Sequence, residues 1–147
     1  MTRFSAGGLT GAGDTTHPII SLYGGTTVLP RIREWGVFNT TAVQVALKLV
    51  RLTTAGTPGT GLTEAPLDPE DPSTAIATAA LTHTGTAPTL GADLGYRVML
   101  GAAIGSGMIW TFGDLGLSIP VTANAGVGLI VENGTGQICQ SYLVWDE

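Results

Sequence analysis

The stretch GMIWTFGDLGLSIP, Gly107 to Pro120, alternates apolar side chains in steps of two on both sides of a Gly-Asp pair. Alternation with a period of two is typical of β-strands, and a short break containing glycine is typical of the turn between them. We therefore predict a β-hairpin whose apolar face points into a core. That face comprises Met108, Trp110, Phe112, Leu115, Leu117 and Ile119.

The same pattern recurs along much of the chain. It is clearest in AVQVALKLVRL (42–52), where Val43, Val45, Leu47 and Leu49 share one face. Turn sequences of two to five residues separate the later segments, and only TAIATAALT (74–82) is compatible with a short helix. Eight or nine short strands with regular turns predict an all-β protein, either a sandwich or a barrel.

Two segments lack this pattern. Residues 1–16 are rich in glycine and threonine, so we expect an extended N-terminal arm or a flexible tail there. Residues 53–74 contain four prolines and four acidic residues, which predicts a long loop. The expected organisation is the arm at 1–16 followed by a single β-sandwich domain at 17–147 that carries the loop.

The composition is unusual for a surface exposed to water. Only 12% of the residues are charged, where roughly 25% is typical, while 44% are apolar and 22 are glycine. Glycine, threonine and alanine can form a neutral exterior, which is the simpler interpretation. The alternative is that other copies or a scaffold bury much of the surface, because permanent interfaces are depleted of charge.

A candidate interface follows from the second face of the strands after residue 107, since that face carries small or apolar residues. Such a face would allow close approach by identical subunits, and a ring of three sandwiches would bury it. The alternative is that a loop or the N-terminal arm of the same chain covers it. The predicted interface residues are Thr111, Gly116, Ser118, Gly128 and Ile130.

Residues suited to catalysis or metal binding are few and scattered. His17 and His83 have no partner at ligand spacing, and the acids of the 53–74 loop do not match a calcium loop. Cys139, the single cysteine, lies in a predicted strand and should be buried. We predict no enzyme activity, no cofactor and no metal. Exposed tryptophans and tyrosines would be needed for a sugar-binding face, but alternating strands favour them as core or interface residues.

Charge and hydropathy exclude two classes of partner. A net charge of −5 and a pI near 4.8, with six dispersed basic residues, argue against nucleic acid binding. No stretch of 18 apolar residues predicts a membrane span, and the N-terminus lacks the apolar region of a secretory signal. We expect synthesis in the cytoplasm.

Residues 33–65 and 100–147 resemble a family of small virion proteins encoded in the structural gene clusters of tailed phages and prophages. The resemblance rests on four segments, EWGVFNTT (34–41), RLTTAGTPGTGLT (51–63), GMIWTFG (107–113) and NGTGQ (133–137), and on the aromatic and acidic C-terminus. Residues 1–16 have no counterpart in the pattern. The shared motifs are structural rather than catalytic.

The resemblance implies an all-β fold, a jelly-roll-like β-sandwich of about eight strands. It also implies a structural role in a tailed-phage virion, as a protein that is made in the cytoplasm of a bacterial host and then decorates and cements the capsid exterior. The implied partners are further copies of the chain, as a homotrimer, and the major capsid protein. By analogy with other attachment arms, Arg3 and Phe4 are the predicted capsid contacts. The alternative is a tail- or fibre-associated module of the same fold that binds a receptor or glycan; a small hydrolase is a further rival.

Overall fold

The computed structural model describes all 147 residues as an all-β sandwich without an α-helix. No helix in it could span a membrane. The strands are β1 (Arg3–Leu9), β2 (Ile20–Tyr23), β3 (Arg31–Asn39), β4 (Val45–Leu52), β5 (Ala65–Pro66), β6 (Thr78–Leu81), β7 (Leu90–Leu100), β8 (Gly107–Thr111), β9 (Leu117–Ser118), β10 (Gly126–Asn133) and β11 (Cys139–Asp146).

The strands form two antiparallel sheets. Sheet A has the order β5-β1-β11-β3-β8, with β9 also paired to β3, and sheet B has the order β6-β2-β10-β4-β7. The jelly-roll arrangement results when one long hairpin rolls up into two layers. Here the arms of that hairpin are β1 to β4 and β7 to β11. The two layers are then β1-β11-β3-β8 and β2-β10-β4-β7, as observed. The predicted fold class is confirmed, with eleven strands rather than about eight because three short strands are added.

The core lies between the sheets and is filled by alternate residues of the strands. In β4, Val45, Leu47 and Leu49 are buried there as predicted, whereas Val43 precedes the strand and is half exposed. Each large apolar side chain buried in this way stabilises the fold by roughly 1.5–3 kcal/mol. Residues 78–81, for which a helix was an alternative, form strand β6 against β2.

The N-terminal residues belong to the sandwich and are not a separate arm, so that prediction is wrong. Residues 3–9 form β1, which pairs with β11 along its whole length and with β5 on its other side. Thr10 continues the connection by donating its backbone N–H to the carbonyl oxygen of Cys139, at 2.8 Å. The glycines of this segment hide its strand character because they weaken the alternation, while pairing with a distant strand fixes its conformation.

The stretch 107–120 is one interrupted strand rather than a hairpin. β8 pairs with residues 34–38 of β3, and β9 pairs with residues 31–32 of the same strand, so both lie along one edge of sheet A. Residues 112–116 loop out between them, with positive φ at Gly113 (63°) and Gly116 (66°). The guanidinium of Arg33 holds the loop by donating to the carbonyl oxygens of Gly113, at 3.0 Å, and Asp114.

Residues 53–74 form a long loop, as predicted, but the loop is attached to the sandwich. It contains the two-residue strand β5, and Leu62 packs against the core. The backbone N–H of Leu62 donates to Ala79, and that of Leu67 donates to Arg3, at 2.9 and 2.8 Å. Its prolines limit regular structure without preventing these local attachments.

Candidate interaction surface

Nearly half of the large exposed apolar residues lie in one segment of the chain, between Leu90 and Leu115. We call this segment the β7–β8 side, because it consists of β7, β8 and the loops that follow them. Of its 26 residues, only Leu100 and Trp110 are buried. Seven of the chain's 15 large exposed apolar residues lie here: Leu90, Tyr96, Met99, Ile104, Met108, Ile109 and Leu115.

The topology places β7 and β8 at neighbouring edges of the sandwich, although consecutive residues such as Met108 and Ile109 point to opposite faces of their strand. β7 is the last strand of sheet B and β8 the last strand of sheet A, and the 101–106 loop connects them directly. The two open edges therefore lie on the same side of the sandwich. Apolar patches of more than a few hundred Å² on a soluble protein are characteristic of interaction sites.

Asn39 fixes the 101–106 loop. Its side-chain nitrogen donates to the carbonyl oxygen of Gly101 at 3.1 Å, and its backbone N–H donates to that of Ser106 at 2.7 Å. Its own carbonyl oxygen accepts from Gly105 at 2.8 Å, and Asn39 is itself buried. Ile104, at the tip of this loop, is 75% exposed, so an apolar side chain is presented to solvent on a fixed backbone.

An aromatic cluster closes the sandwich between the two edges. The ring of Tyr96 on β7 meets Trp110 and Phe112 edge-to-face, with centroid distances of 6.3 and 5.1 Å. Such pairs contribute roughly 0.5–1.5 kcal/mol each beyond the area they bury. The β7–β8 side therefore rests on an ordered layer joining both sheets.

The charged groups beside this side largely neutralise one another. Asp93 accepts from Lys48 at 3.3 Å and from Arg97 at 2.5 Å, and Arg97 also pairs with Glu132. The backbone N–H of Gly95, followed by Lys48 and Arg97, lowers the pKa of Asp93, so its carboxylate stays ionised. These two cations and two anions balance one another, while Asp114, near the end of the same segment, adds an exposed acidic residue.

The five predicted interface residues do not form one face. Thr111 is exposed and Gly116 and Ser118 are half-buried along the edge of sheet A, whereas Gly128 and Ile130 are buried in the middle of sheet B. The prediction assumed that β8, β9 and β10 lie side by side, but β10 belongs to the other sheet.

The outer face of sheet B at Gly128 and Ile130 is covered by the same chain. Ile130 packs with Tyr23, Val50 and Leu52, and Ala55 of the 53–74 loop lies against this cluster. A Cβ atom on Gly128 would lie 3.0 Å from Pro18. The alternative of intrachain cover is thus the correct one for this part of the predicted face.

The two predicted capsid contacts at the N-terminus, Arg3 and Phe4, have partners within the chain; the Arg3 side chain is still 53% exposed, so its prediction stays open. Phe4 is 1% exposed and stacks on Trp145, with ring centroids 5.9 Å apart. Arg3 donates to the buried carboxylate of Asp146 at 2.6 Å, and Arg33 donates to its other oxygen at 2.5 Å. Hydrogen bonds from Arg3, and then from Arg33, lower the pKa of Asp146. Phe4 therefore cannot contact a capsid without unfolding β1.

Tyr142 on β11 packs across the neighbouring strand β3 in sheet A. The ring of Tyr142 lies directly over Gly36, in space that a Cβ atom would occupy, and its hydroxyl donates to Glu34 at 2.5 Å. Burial, followed by the hydrogen bond to Glu34, raises the pKa of Tyr142 to about 12, so the phenol remains protonated. Phe38 lies similarly across Gly107 of β8, next to the β7–β8 side.

Two of the four acids in the 53–74 loop accept hydrogen bonds from residues outside the loop. Glu64 accepts from the backbone N–H of Ala79 at 2.9 Å, and Asp71 accepts from the hydroxyl of Thr2 at 2.7 Å. The thiol of Cys139 is buried, as predicted, and burial raises its pKa to about 11. No three His, Cys, Asp or Glu side chains come together in the structure.

The histidines do not meet. His17 lies against Asp14, while His83 is buried beneath the loop, where its Nε2 lies 2.8 Å from the Tyr23 hydroxyl and 3.0 Å from the carbonyl oxygen of Ala55. The other ring nitrogen of His83, Nδ1, is buried without a hydrogen-bond partner.

No protein-family model, curated protein or solved structure matches the chain.

The sequence analysis did not identify the β7–β8 side, although the sequence marks it with a long uncharged stretch. Residues 98–113 contain no charged residue and include Met99, Ile104, Met108 and Ile109. In a solvated pair of edge strands we would expect charges that block association.

Proposed function

We propose that this protein is a structural virion protein of a tailed bacteriophage, which decorates and cements the capsid exterior as a homo-oligomer, with a trimer as the expected form. Its partners would be further copies of the chain and the major capsid protein. The proposal starts from the resemblance of residues 33–65 and 100–147 to small phage virion proteins.

The observation that carries the proposal is the exposed apolar β7–β8 side. Leaving Ile104, Met99 and Leu115 in water costs free energy that association would recover. A protein that works as an assembled layer hides such a side, whereas a solitary monomer would be expected to place charges there.

The fold and composition are compatible with this role. Jelly rolls occur among viral capsid proteins and also among lectins, so the fold alone supports both this proposal and the glycan-binding alternative by analogy. Low charge favours repeated contacts between neighbouring copies over binding to a charged polymer.

Cementing a shell requires weak contacts to act together. A homo-oligomer that touches several capsid subunits at once gains avidity, so each contact can be weak while dissociation of the whole is slow. The fold supplies a rigid unit for this purpose, since its termini are joined through β1 and β11 rather than extended away from the sandwich.

The experiment is a binding assay with purified particles of the phage or prophage that encodes the chain. The particles are produced from a genome in which this gene has been deleted, so that they lack the protein. Recombinant protein should bind these particles saturably and raise the temperature at which they release DNA. Failure to sediment with the particles would refute the capsid role, and binding confined to tails would favour the receptor-binding alternative.

A further inference from the structure

We propose that a flap over the outer face of sheet B opens when His83 is protonated. The flap consists of residues 53–57 and 84–89. Ala55 of the flap packs against a buried apolar cluster, which opening would uncover. The cluster consists of Tyr23, Val50, Leu52 and Ile130. This pH-sensitive device is separate from the virion role proposed above.

The two segments of the flap are bonded to each other. The backbone N–H of Thr53 donates to the carbonyl oxygen of Thr89 at 2.9 Å, and that of Thr57 donates to Thr86 at 2.8 Å. The backbone N–H of Thr89 also donates to the hydroxyl of Thr54 at 2.9 Å. Because these bonds link one segment to the other, we expect the flap to move as one unit.

One histidine anchors each segment of the flap to the sandwich. His83 Nε2 lies 3.0 Å from the carbonyl oxygen of Ala55 and 2.8 Å from the hydroxyl of Tyr23 on β2. His17 Nε2 lies 3.1 Å from the carbonyl oxygen of Gly85. Opening the flap over the apolar cluster requires the contact between His83 and Ala55 to break.

The two anchors differ in how they accommodate a proton. A protonated histidine is a donor at both ring nitrogens. His17 has an acceptor at each, since its Nδ1 lies 2.8 Å from the carboxylate of Asp14 and its Nε2 faces Gly85. His83 is 3% exposed, and its Nδ1 is buried without a hydrogen-bond partner. Burying a charged ring that is only partly hydrogen-bonded is costly, so acid weakens the His83 anchor and preserves the His17 anchor.

The surroundings of His83 provide no compensating negative charge. β2 contributes the Tyr23 hydroxyl and, on the same strand face, Ser21, whose Oγ is also buried without a partner. Neither segment of the flap contains a charged residue. The turn before β2 contributes His17, whose positive charge opposes protonation of His83.

The direction of the pH response follows from these contacts. Burial, and to a smaller extent the charge of His17, lowers the pKa of His83 against the hydrogen bond to Ala55, which raises it. In the open flap the ring returns to water, where a histidine has an ordinary pKa of about 6.5. The open form therefore binds a proton more readily than the closed form, and its population rises as the pH falls below about 6.5.

The test is hydrogen exchange measured by mass spectrometry at about pH 7.5 and about pH 5, with each rate divided by the intrinsic exchange rate at that pH. In wild type we expect the protection of flap peptides to fall about tenfold at the lower pH, while peptides of β11 keep their protection. An apolar fluorescent dye should also bind wild type more strongly than His83→Gln at the lower pH.

Two variants separate the anchors. His83→Gln is neutral at both pH values and its amide can still donate to Ala55, so its flap should be equally protected at both. His17→Gln is the matched control, because it removes the other anchor. Its flap should be less protected at both pH values and should keep the acid-induced fall.

A measurement on wild type keeps the test independent of whether His83→Gln folds. Nuclear magnetic resonance follows the Cε1–H signals of the two histidines with pH, and the single remaining signal of His17→Gln assigns His83. The protonation of His83 should coincide with the loss of flap protection. The proposal is overturned if wild-type flap protection does not change with pH, or if His83 protonates while the flap stays protected. It is equally overturned if His83→Gln shows the wild-type fall, if His17→Gln loses that fall, or if β11 loses protection together with the flap.

Discussion

Replacing Phe4 by alanine distinguishes a structural strand from an N-terminal arm. The side chain is 1% exposed, packs in the main core and stacks on Trp145. Truncation of a buried phenylalanine costs about 3–5 kcal/mol, which includes the lost stacking and the cavity that remains. An arm residue would contribute almost nothing to the stability of the isolated protein.

The assay is unfolding in urea, monitored by tryptophan fluorescence, because Trp35 and Trp145 are fully buried and report on the core. Leu9→Ala is the control on the same strand; Leu9 is 54% exposed, so its truncation should cost less than about 1 kcal/mol. If Phe4→Ala leaves too little folded protein, Phe4→Leu gives a milder change of about 1.5 kcal/mol. A Phe4→Ala free energy of unfolding within about 0.5 kcal/mol of wild type would refute the assignment of β1 to the core.

Three further predictions concern polar groups. Burial lowers the pKa of His83, so the stability that its neutral ring contributes is complete above about pH 6.5 and is lost as the pH falls below that value. The urea midpoint should therefore be lower at about pH 5.5 than at about pH 7.5. The difference between the two midpoints should be smaller in His83→Gln. Asp146→Asn should destabilise the fold by about 2–3 kcal/mol in urea unfolding at neutral pH, because the carboxylate is buried against Arg33; a loss below about 0.5 kcal/mol would contradict this pairing. Tyr142→Phe should cost about 1 kcal/mol in the same assay through its bond to Glu34, and an unchanged midpoint would show that this bond does not stabilise the fold.

The acid prediction for His83 depends on the groups that surround its ring. Nε2 faces the Tyr23 hydroxyl on β2 and the carbonyl oxygen of Ala55, and no carboxylate hydrogen-bonds to the ring. Nδ1 is buried without a hydrogen-bond partner, and burial disfavours the charged form of the ring. The expected consequence is loosening of the 53–74 loop over sheet B.

The fold class was predictable because alternation records which residues face a core. Val45, Leu47 and Leu49 carry that signal in their immediate neighbourhood. The neighbouring sequence does not show which strand a given strand pairs with, because the pairing of β1 with β11 joins residues more than a hundred positions apart. The 107–120 stretch was misread for the same reason: alternation around Gly-Asp is equally consistent with a hairpin and with one edge strand that loops out.

The candidate surface was less predictable than the fold. The sequence identified an excess of apolar and uncharged residues, but locating them required knowing that β8 and β10 lie in different sheets. With the topology known, Gly128 and Ile130 are seen to be covered by residues of the same chain, whereas Ile104 and Met99 are exposed. Composition left open whether the exterior is simply neutral or is covered by other copies.

The central claim is tested most directly by the copy number of this chain in purified phage particles, measured by quantitative mass spectrometry against the major capsid protein. A decoration role predicts a fixed stoichiometric ratio to the capsid protein, and loss of that ratio when Ile104→Asp replaces the wild-type gene. Absence from the particles, or a few copies that remain with isolated tails, would contradict it.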